Sequence, residues 1–505
     1  MALNHQNAAG RDKETVSPMS APANSTVPAS PAVTAAPEEI AAPAFSVTPA
    51  APQATATTPN PATPAIRPAA PQATATTPNL AIPAVPPAAP QTTGTLAGAA
   101  MPAAPRTIAS AAAPAAGSGA AEQEARYLLQ VYAQTPIEPV SGHGVMLRTS
   151  DGRELIDFYG GHAVALLGYG HPRVLAALNA QAAELFFQSN VVPLAVRARA
   201  ARKLLEFGPA GFAAAFLVNS GAEANENALK LAIRHTGRGR VVALHGAFHG
   251  RTAAAAAVSH GAGDAAVSWY GLPRAPFDVA FVPHGDPGAL EAALAAAPTA
   301  AVILEPVQGL AGAVALGGEY LAAARELTRR AGALLIFDEV QTGMGRTGQP
   351  FAAQTWGVTP DLLTTAKGLA AGFPAGAVLV APEIAAGVRR GDYGSTFGGG
   401  PLACALIEAV IAAIGEEDLL ARVRRLSQRI RETCVVGPVE SIQGEGYLLG
   451  LRTTRPAREV VADLIEHGIL AGGANDPRVV RLLPPLVLED RHVAALAAAL
   501  AEIRP

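Results

Sequence analysis

The stretch A-L-L-I-F-D-E-V-Q, residues 333–341, and the later T-T-A-K-G-L-A, residues 364–370, decide the reading of this chain. Five apolar residues run directly into Asp338, the pattern of a buried strand that ends at a polar edge. A carboxylate drawn into apolar surroundings needs a charged or hydrogen-bonding partner. Lys367 is the second unusual group. The chain carries 37 basic residues, of which only Lys13, Lys203, Lys230 and Lys367 are lysines, so arginine supplies almost all of its positive charge. Arginine does not serve where an amine must lose its proton and attack a carbonyl. An aldehyde cofactor such as pyridoxal 5'-phosphate needs both groups: a lysine amine that holds it as a Schiff base, and a carboxylate that keeps its ring nitrogen protonated so that the ring draws electrons. Lys230 lies inside a helical pattern and has no such context.

Outward from 333–341, apolar runs at 213–218, 241–244, 301–304 and 377–380 also read as buried strands, with helix-patterned sequence such as 318–331 between them. This alternation predicts an α/β fold: a mainly parallel sheet covered on both faces, with ligands beyond the carboxyl ends of its strands. Polar residues gather at those ends: Asn219-Ser220-Gly221, Glu305 and Asp338. Ser220, Gly221 and Ala222 open a helix, where free amides and the helix dipole suit a phosphate. The nucleotide-binding glycine patterns are absent there. Phe248 and Arg251, in F-H-G-R, read singly as a core aromatic and a surface cation; at a strand end they also offer a ring to stack on a pyridine and a partner for a carboxylate.

The ends of the chain differ from its middle. Between Glu39 and Arg106 the only charged residue is Arg67, and A-A-P-Q-A-T-A-T-T-P-N occurs twice, from Ala50 and from Ala69. Such a segment buries too little apolar surface to offset chain entropy and is expected to be a disordered tail over residues 1–120. Residues 121–165 are expected to join a smaller α+β domain completed by residues 401–505, where helices at 420–433 and 457–467 alternate with strand-like 447–452 and 479–482. Residues 166–400 then form the large domain. A net charge of −3 without a long basic run argues against nucleic acid as a partner. The start of the chain lacks a basic, apolar secretory leader, and no segment offers about 20 uninterrupted apolar residues, so a cytoplasmic protein without a membrane partner is expected. Cys404 and Cys434 fit reduced, buried thiols better than a disulfide framework or a metal site.

From about residue 121 onward the chain resembles the class III aminotransferases of the acetylornithine/ornithine type, within fold-type I of the pyridoxal-phosphate enzymes. The resemblance is carried by N-S-G-A-E-A-N-E (219–226), F-H-G-R-T (248–252), E-P-V-Q-G (305–309), D-E-V-Q-T-G-M-G-R-T-G (338–348), A-K-G-L-A (366–370), S-T-F-G-G-G-P-L-A (395–403) and R-L-L-P-P-L (481–486). It implies a sheet of the seven-stranded type, with Lys367 as Schiff-base lysine and proton shuttle. Asp338 is implied at the ring nitrogen, Gln341 near the phenolic oxygen, and Val340 and Phe248 on the two ring faces, with Gly221 and Ala222 at the phosphate. Thr396 is implied to complete the phosphate site from a neighbouring subunit, which makes a homodimer the active unit. Arg481 is implied to bind the α-carboxylate of glutamate or 2-oxoglutarate, Arg251 and Ser395 to contact the amino donor, and Glu305 to act as a gate that pairs with Arg481 or leaves it free. The implied reaction moves the ω-amine of an acylated diamino acid, N2-acetylornithine first, to 2-oxoglutarate. Succinyldiaminopimelate, succinylornithine and ornithine are alternative donors, and aminomutase or decarboxylase chemistry is the alternative on the same fold. The chain departs from the family pattern in three places: Leu310 replaces an acidic residue, Gly400 replaces an asparagine, and V-V-P-L follows Ser189-Asn190 in place of aromatic residues.

Overall fold

The computed structural model describes residues 119–260 and 277–505; the alanine- and proline-rich segment expected to be a tail lies outside them, except for its last two residues. Seven strands form the principal sheet: β1 (Ala214–Val218), β2 (Arg240–Leu244), β3 (Asp278–Val282), β4 (Ala301–Leu304), β5 (Leu334–Asp338), β6 (Leu362–Thr365) and β7 (Gly376–Val380). Their order is β1-β7-β6-β5-β4-β2-β3. Neighbours from β6 to β3 run parallel, while β7 is antiparallel to both β6 and β1.

The sheet is buried on both faces because its strands are apolar at successive positions, and the period of two sends alternate residues to opposite sides. On one side Val242, Leu244, Val302, Leu304, Leu335, Phe337 and Leu379 share a core. On the other, Val241, Ile303, Ile336, Leu362 and Val378 pack against Ala224, Ala228, Leu229 and Ala232 of helix α1 (Gly221–Thr236). Leu304, Leu335 and Phe337 are completely buried, each worth about 1.5–3 kcal/mol relative to exposure. Helix α1 starts at Ser220, whose side chain accepts from the amide of Glu223, and stops at Gly237 in the left-handed conformation. Helix α2 (Gly318–Ala331) ends the same way, at Gly332.

Two of the seven strands escape the sequence reading. β6 is four residues long and half threonine, and β3 lies at the sheet edge, where its first four residues are exposed or half-buried and the apolar signal is weak. The other runs are shifted by a residue or so at their ends. In the C-terminal part, helices Leu419–Thr433 and Ala457–Glu466 flank an antiparallel sheet in which Leu448–Thr453 and Val479–Leu482 are neighbours. Strand Ile469–Leu470 pairs in parallel with Glu154–Asp157, so residues from the beginning and the end of the described chain share one small sheet. Cys404 and Cys434 are free and buried.

Candidate active site

The carboxyl ends of β1, β2, β4, β5 and β6 meet around one cavity of about 360 Å³, bordered by Ser220, Gly221, Phe248, Asp338, Val340 and Lys367. Its size suits a small cofactor. Asp338 closes β5 and is buried. Its Oδ2 accepts from Asn225 Nδ2 (2.7 Å) and faces His249 Nδ1 (2.7 Å), and its Oδ1 accepts from the amide of Val340 (3.0 Å). Asn225, on the first turns of α1, is held by Thr364 of β6, which donates to its Oδ1 at 2.6 Å. Three side chains, from α1, β6 and the loop after β2, together with the Val340 amide thus fix one carboxylate. Among the described residues His249 Nε2 is buried without a hydrogen-bond partner.

Lys367 follows β6 and opens a short turn, Lys367–Ala370, with φ of 46°. That left-handed backbone is uncommon for a residue with a Cβ and holds only where the surroundings dictate it. Gly368 meets this requirement from the other side, because a Cβ there would come within 2.9 Å of Leu166. Burial pushes the Lys367 ammonium down from its ordinary value; Asp338 and Glu305 push it back up and Arg481 lowers it further. An amine biased toward its neutral form is ready to act as nucleophile and base.

The amides of Gly221 and Ala222 stand at the start of α1, where no carbonyl lies one turn back to accept them. Ser220 is spent differently, since its hydroxyl accepts from Glu223 (3.1 Å). Val340 lies against this turn: a Cβ on Gly221 would come within 2.8 Å of both Val340 methyl groups. Gln341 likewise needs Gly309, where a Cβ would fall 2.3 Å from its Oε1. Phe248 lies under the Arg251 guanidinium at 5.2 Å, and exposed Arg251 also lies 5.8 Å over the Tyr132 ring.

Glu305, buried beyond the end of β4, accepts from the amides of Phe248 (2.9 Å) and Gly309 (3.2 Å). Among the described residues it forms no ion pair with Arg481, whose Nε instead donates to the carbonyl of Gly473 (2.6 Å). Burial, then the Asp338 carboxylate, push Glu305 up to about 7, against the pull of His249 and the two amides. Since its ordinary value is 4.5, the folded protein favours the protonated form. The associated stability is full below about pH 4.5 and is lost as pH rises through about 7. Cofactor-free protein is therefore expected to lose stability against its Glu305→Gln variant as pH rises across that window. Melting curves of the two that stay parallel from pH 4.5 to 8 would refute it.

All of the expected site residues except Ser395, Thr396 and Arg481 border the cavity. Ser395 accepts from Asn219 Nδ2 (3.2 Å) and the amide of Gly398 (3.0 Å), and Thr396 is exposed beside it. Arg481, buried in strand Val479–Leu482, lies 5.9 Å over the Tyr159 ring. The sequence reading missed Asn225, His249 and Thr364. His249 stands in the quoted F-H-G-R motif, but nothing in the linear pattern says that it faces a carboxylate. It also missed Tyr159 and His162, in Y-G-G-H.

These residues fit pyridoxal phosphate: a fixed carboxylate, free helix-start amides and an amine of lowered basicity border one cavity, and the apolar side chains Val340 and Phe248 line it as well. Residues 129–503 match the family described as "Aminotransferase class-III", and the chain belongs to it. It is a pyridoxal-phosphate-dependent aminotransferase of fold-type I. It is similar to the acetylornithine aminotransferase of Streptomyces coelicolor, with 43% identity over 378 residues, 74% of this chain and 92% of that one. The acetylornithine aminotransferase of Mycobacterium tuberculosis is 41% identical over 381 residues, 74% of this chain and 94% of that one. Among solved structures, the ornithine aminotransferase of Toxoplasma gondii is similar with a TM-score of 0.70 at 33% identity, over 75% of this chain and 93% of that one.

Proposed function

We propose that the chain takes the ω-amine from N2-acetylornithine and gives it to 2-oxoglutarate, releasing a semialdehyde and glutamate. The observation that carries this reading is the placement of Lys367 and Asp338 on one cavity with Arg251 at its margin, while Arg481 forms no ion pair with Glu305 among the described residues. When bound, the cofactor would supply an electron sink for proton removal at the reacting carbon. The chain's residues do the rest. Asp338, locked by Asn225 and His249, would pair with the ring nitrogen. The Lys367 amine carries the proton from the substrate carbon, helped by its lowered basicity. Gly221 and Ala222 hold the phosphate through their amides, and Gln341, kept close by Gly309, orients the ring edge.

Arg481 receives the 2-oxoglutarate carboxylate, and Arg251 with Ser395 contacts the donor. Thr396 completes the phosphate site of a neighbouring subunit. Its exposure, and the exposed Phe186, Val191 and Phe397 nearby, support a homodimer. The small domain is formed by 121–165 with 401–505, and the enzyme works in the cytoplasm. Among the described residues no helix is long and apolar enough to cross a membrane. The likeness to an ornithine aminotransferase keeps free ornithine as the second donor reading.

The test is glutamate formation by the cofactor-loaded protein from 2-oxoglutarate with N2-acetylornithine, ornithine, succinylornithine or succinyldiaminopimelate. The expected result is the highest kcat/KM with N2-acetylornithine. A higher value with any other donor would reassign the substrate, and no glutamate from any of them would point to another reaction on this fold.

A further inference from the structure

The segment 157–163 has a backbone that no sequence pattern announces. Gly160, Gly161, His162 and Ala163 all have positive φ, at 58°, 54°, 63° and 67°. Glycine adopts this region freely, but each residue with a Cβ loses about 1–2 kcal/mol there. Two such residues in succession persist only where their surroundings over-determine them, and that strain marks functional positions.

The surroundings here do so. Fully buried Asp157 accepts from the amides of Tyr159 (2.7 Å) and Gly160 (2.8 Å) and from the Tyr169 hydroxyl (2.6 Å). A Cβ on Gly160 would come within 2.6 Å of the Leu483 carbonyl, two residues beyond Arg481. The same turn packs against Lys367–Ala370. It therefore bridges the reacting lysine and the strand that carries Arg481.

The turn delivers the ring of His162. Tyr159 holds that ring, with its hydroxyl 2.5 Å from Nδ1 and 3.0 Å from Nε2 and the two rings 4.6 Å apart. Tyr159 is itself confined: a Cβ on Gly472 would strike its Cε2 at 2.0 Å, and the Arg481 guanidinium lies over its ring. His162 is nevertheless exposed, so part of its ring is open to a ligand. Partial burial, then the charges of Arg481, Lys367 and Arg251, push it down to about 4. In the neutral tautomer whose Nδ1 accepts the Tyr159 proton, the ring's own proton sits on Nε2, where a ligand oxygen competes with the Tyr159 hydroxyl 3.0 Å away.

We propose that His162 is a specificity-determining residue that selects an acylated amino donor over the free diamino acid, by donating from Nε2 to the carbonyl oxygen of the acylamino group. The free diamino acid brings an α-ammonium to the same place. There it meets a hydrogen-bond donor and the guanidinium groups of Arg481 and Arg251, with no acceptor from His162 to receive it. Acylation removes that charge and adds the oxygen that His162 needs. The inference rests on the reading above, in which the donor is an ω-amine borne by an α-amino acid.

The experiment compares the holoenzyme with His162→Gly, in which the positive φ carries no strain, and with His162→Asn, which tolerates that φ and restores a donor. Two readouts are taken: the ratio of kcat/KM for N2-acetylornithine to that for ornithine, and calorimetric binding of N2-acetylnorvaline, which has the acylated end but no ω-amine to react. His162→Gly is expected to lower the ratio roughly tenfold, mainly through KM for N2-acetylornithine, with N2-acetylnorvaline binding weakened in step. His162→Asn is expected to recover part of both. An unchanged ratio in His162→Gly overturns the proposal while leaving the aminotransferase reading intact. Glutamate from neither donor in the wild-type enzyme overturns the donor reading, and this proposal with it.

Discussion

Replacing Lys367 by alanine is expected to lower transamination by at least about 10⁴-fold and to change the visible absorbance of the cofactor-loaded protein. Lys367 is placed to serve twice, as the group that anchors the cofactor and as the base that moves the proton, so no neighbour can take over both duties. His162 is near but is a weak base in this field of cations. Asp338 and Glu305 are buried and committed to hydrogen bonds. Lys230→Ala is the matched control: Lys230 is more than half exposed on α1, 3.7 Å from Glu226, in a surface pair of small energetic weight. It should leave rate and spectrum unchanged. Near-normal turnover and an unaltered spectrum in Lys367→Ala would remove that lysine from the mechanism.

The second large effect is expected at Asp338. Asp338→Asn preserves size and keeps an oxygen for the amide of Val340 or for Asn225, but removes the negative charge that holds a proton on the ring nitrogen. Loss of a fixed charge at a reacting centre lowers kcat by roughly 10²–10³. The variant should also release cofactor faster on dialysis. Asp338→Ala is the poorer test, because it leaves Asn225 Nδ2 and His249 Nδ1 buried without their shared acceptor, at about 1–3 kcal/mol each. Turnover of Asp338→Asn within a few-fold of wild type would show that the charge is not required.

Residues with the most local signatures were legible in the chain. Asp338 announces itself by ending five apolar residues, Lys367 by being a rare lysine next to a glycine turn, and Gly221 and Ala222 by opening a helix after a strand. Each depends on neighbours within a few positions. Asn225, His249 and Thr364 depend on α1, β2 and β6 converging on the end of β5, and residues 113 and 89 positions away from Asp338 carry no mark of that meeting. The antiparallel β7 is another case. Its run of apolar residues reads like its parallel neighbours because both faces are covered either way, and direction is set by where the chain re-enters the sheet. Glu305 and Arg481 differ again: their motifs identify them as partners, yet each is engaged by nearby backbone groups, and that choice is one of distance.

The order of apolar runs, the helix-opening motif and the rare lysine were enough to specify an α/β sheet and a lysine–aspartate pair at the ends of its strands, because burial and backbone hydrogen bonding act on short stretches of chain. Folding in three dimensions decided which charges face one another. The network around Asp338, the separation of Glu305 from Arg481, and the left-handed turn that presents His162 all come from elements distant in sequence. Electrostatic energy depends on ångström separations and shared burial, which no linear spacing encodes.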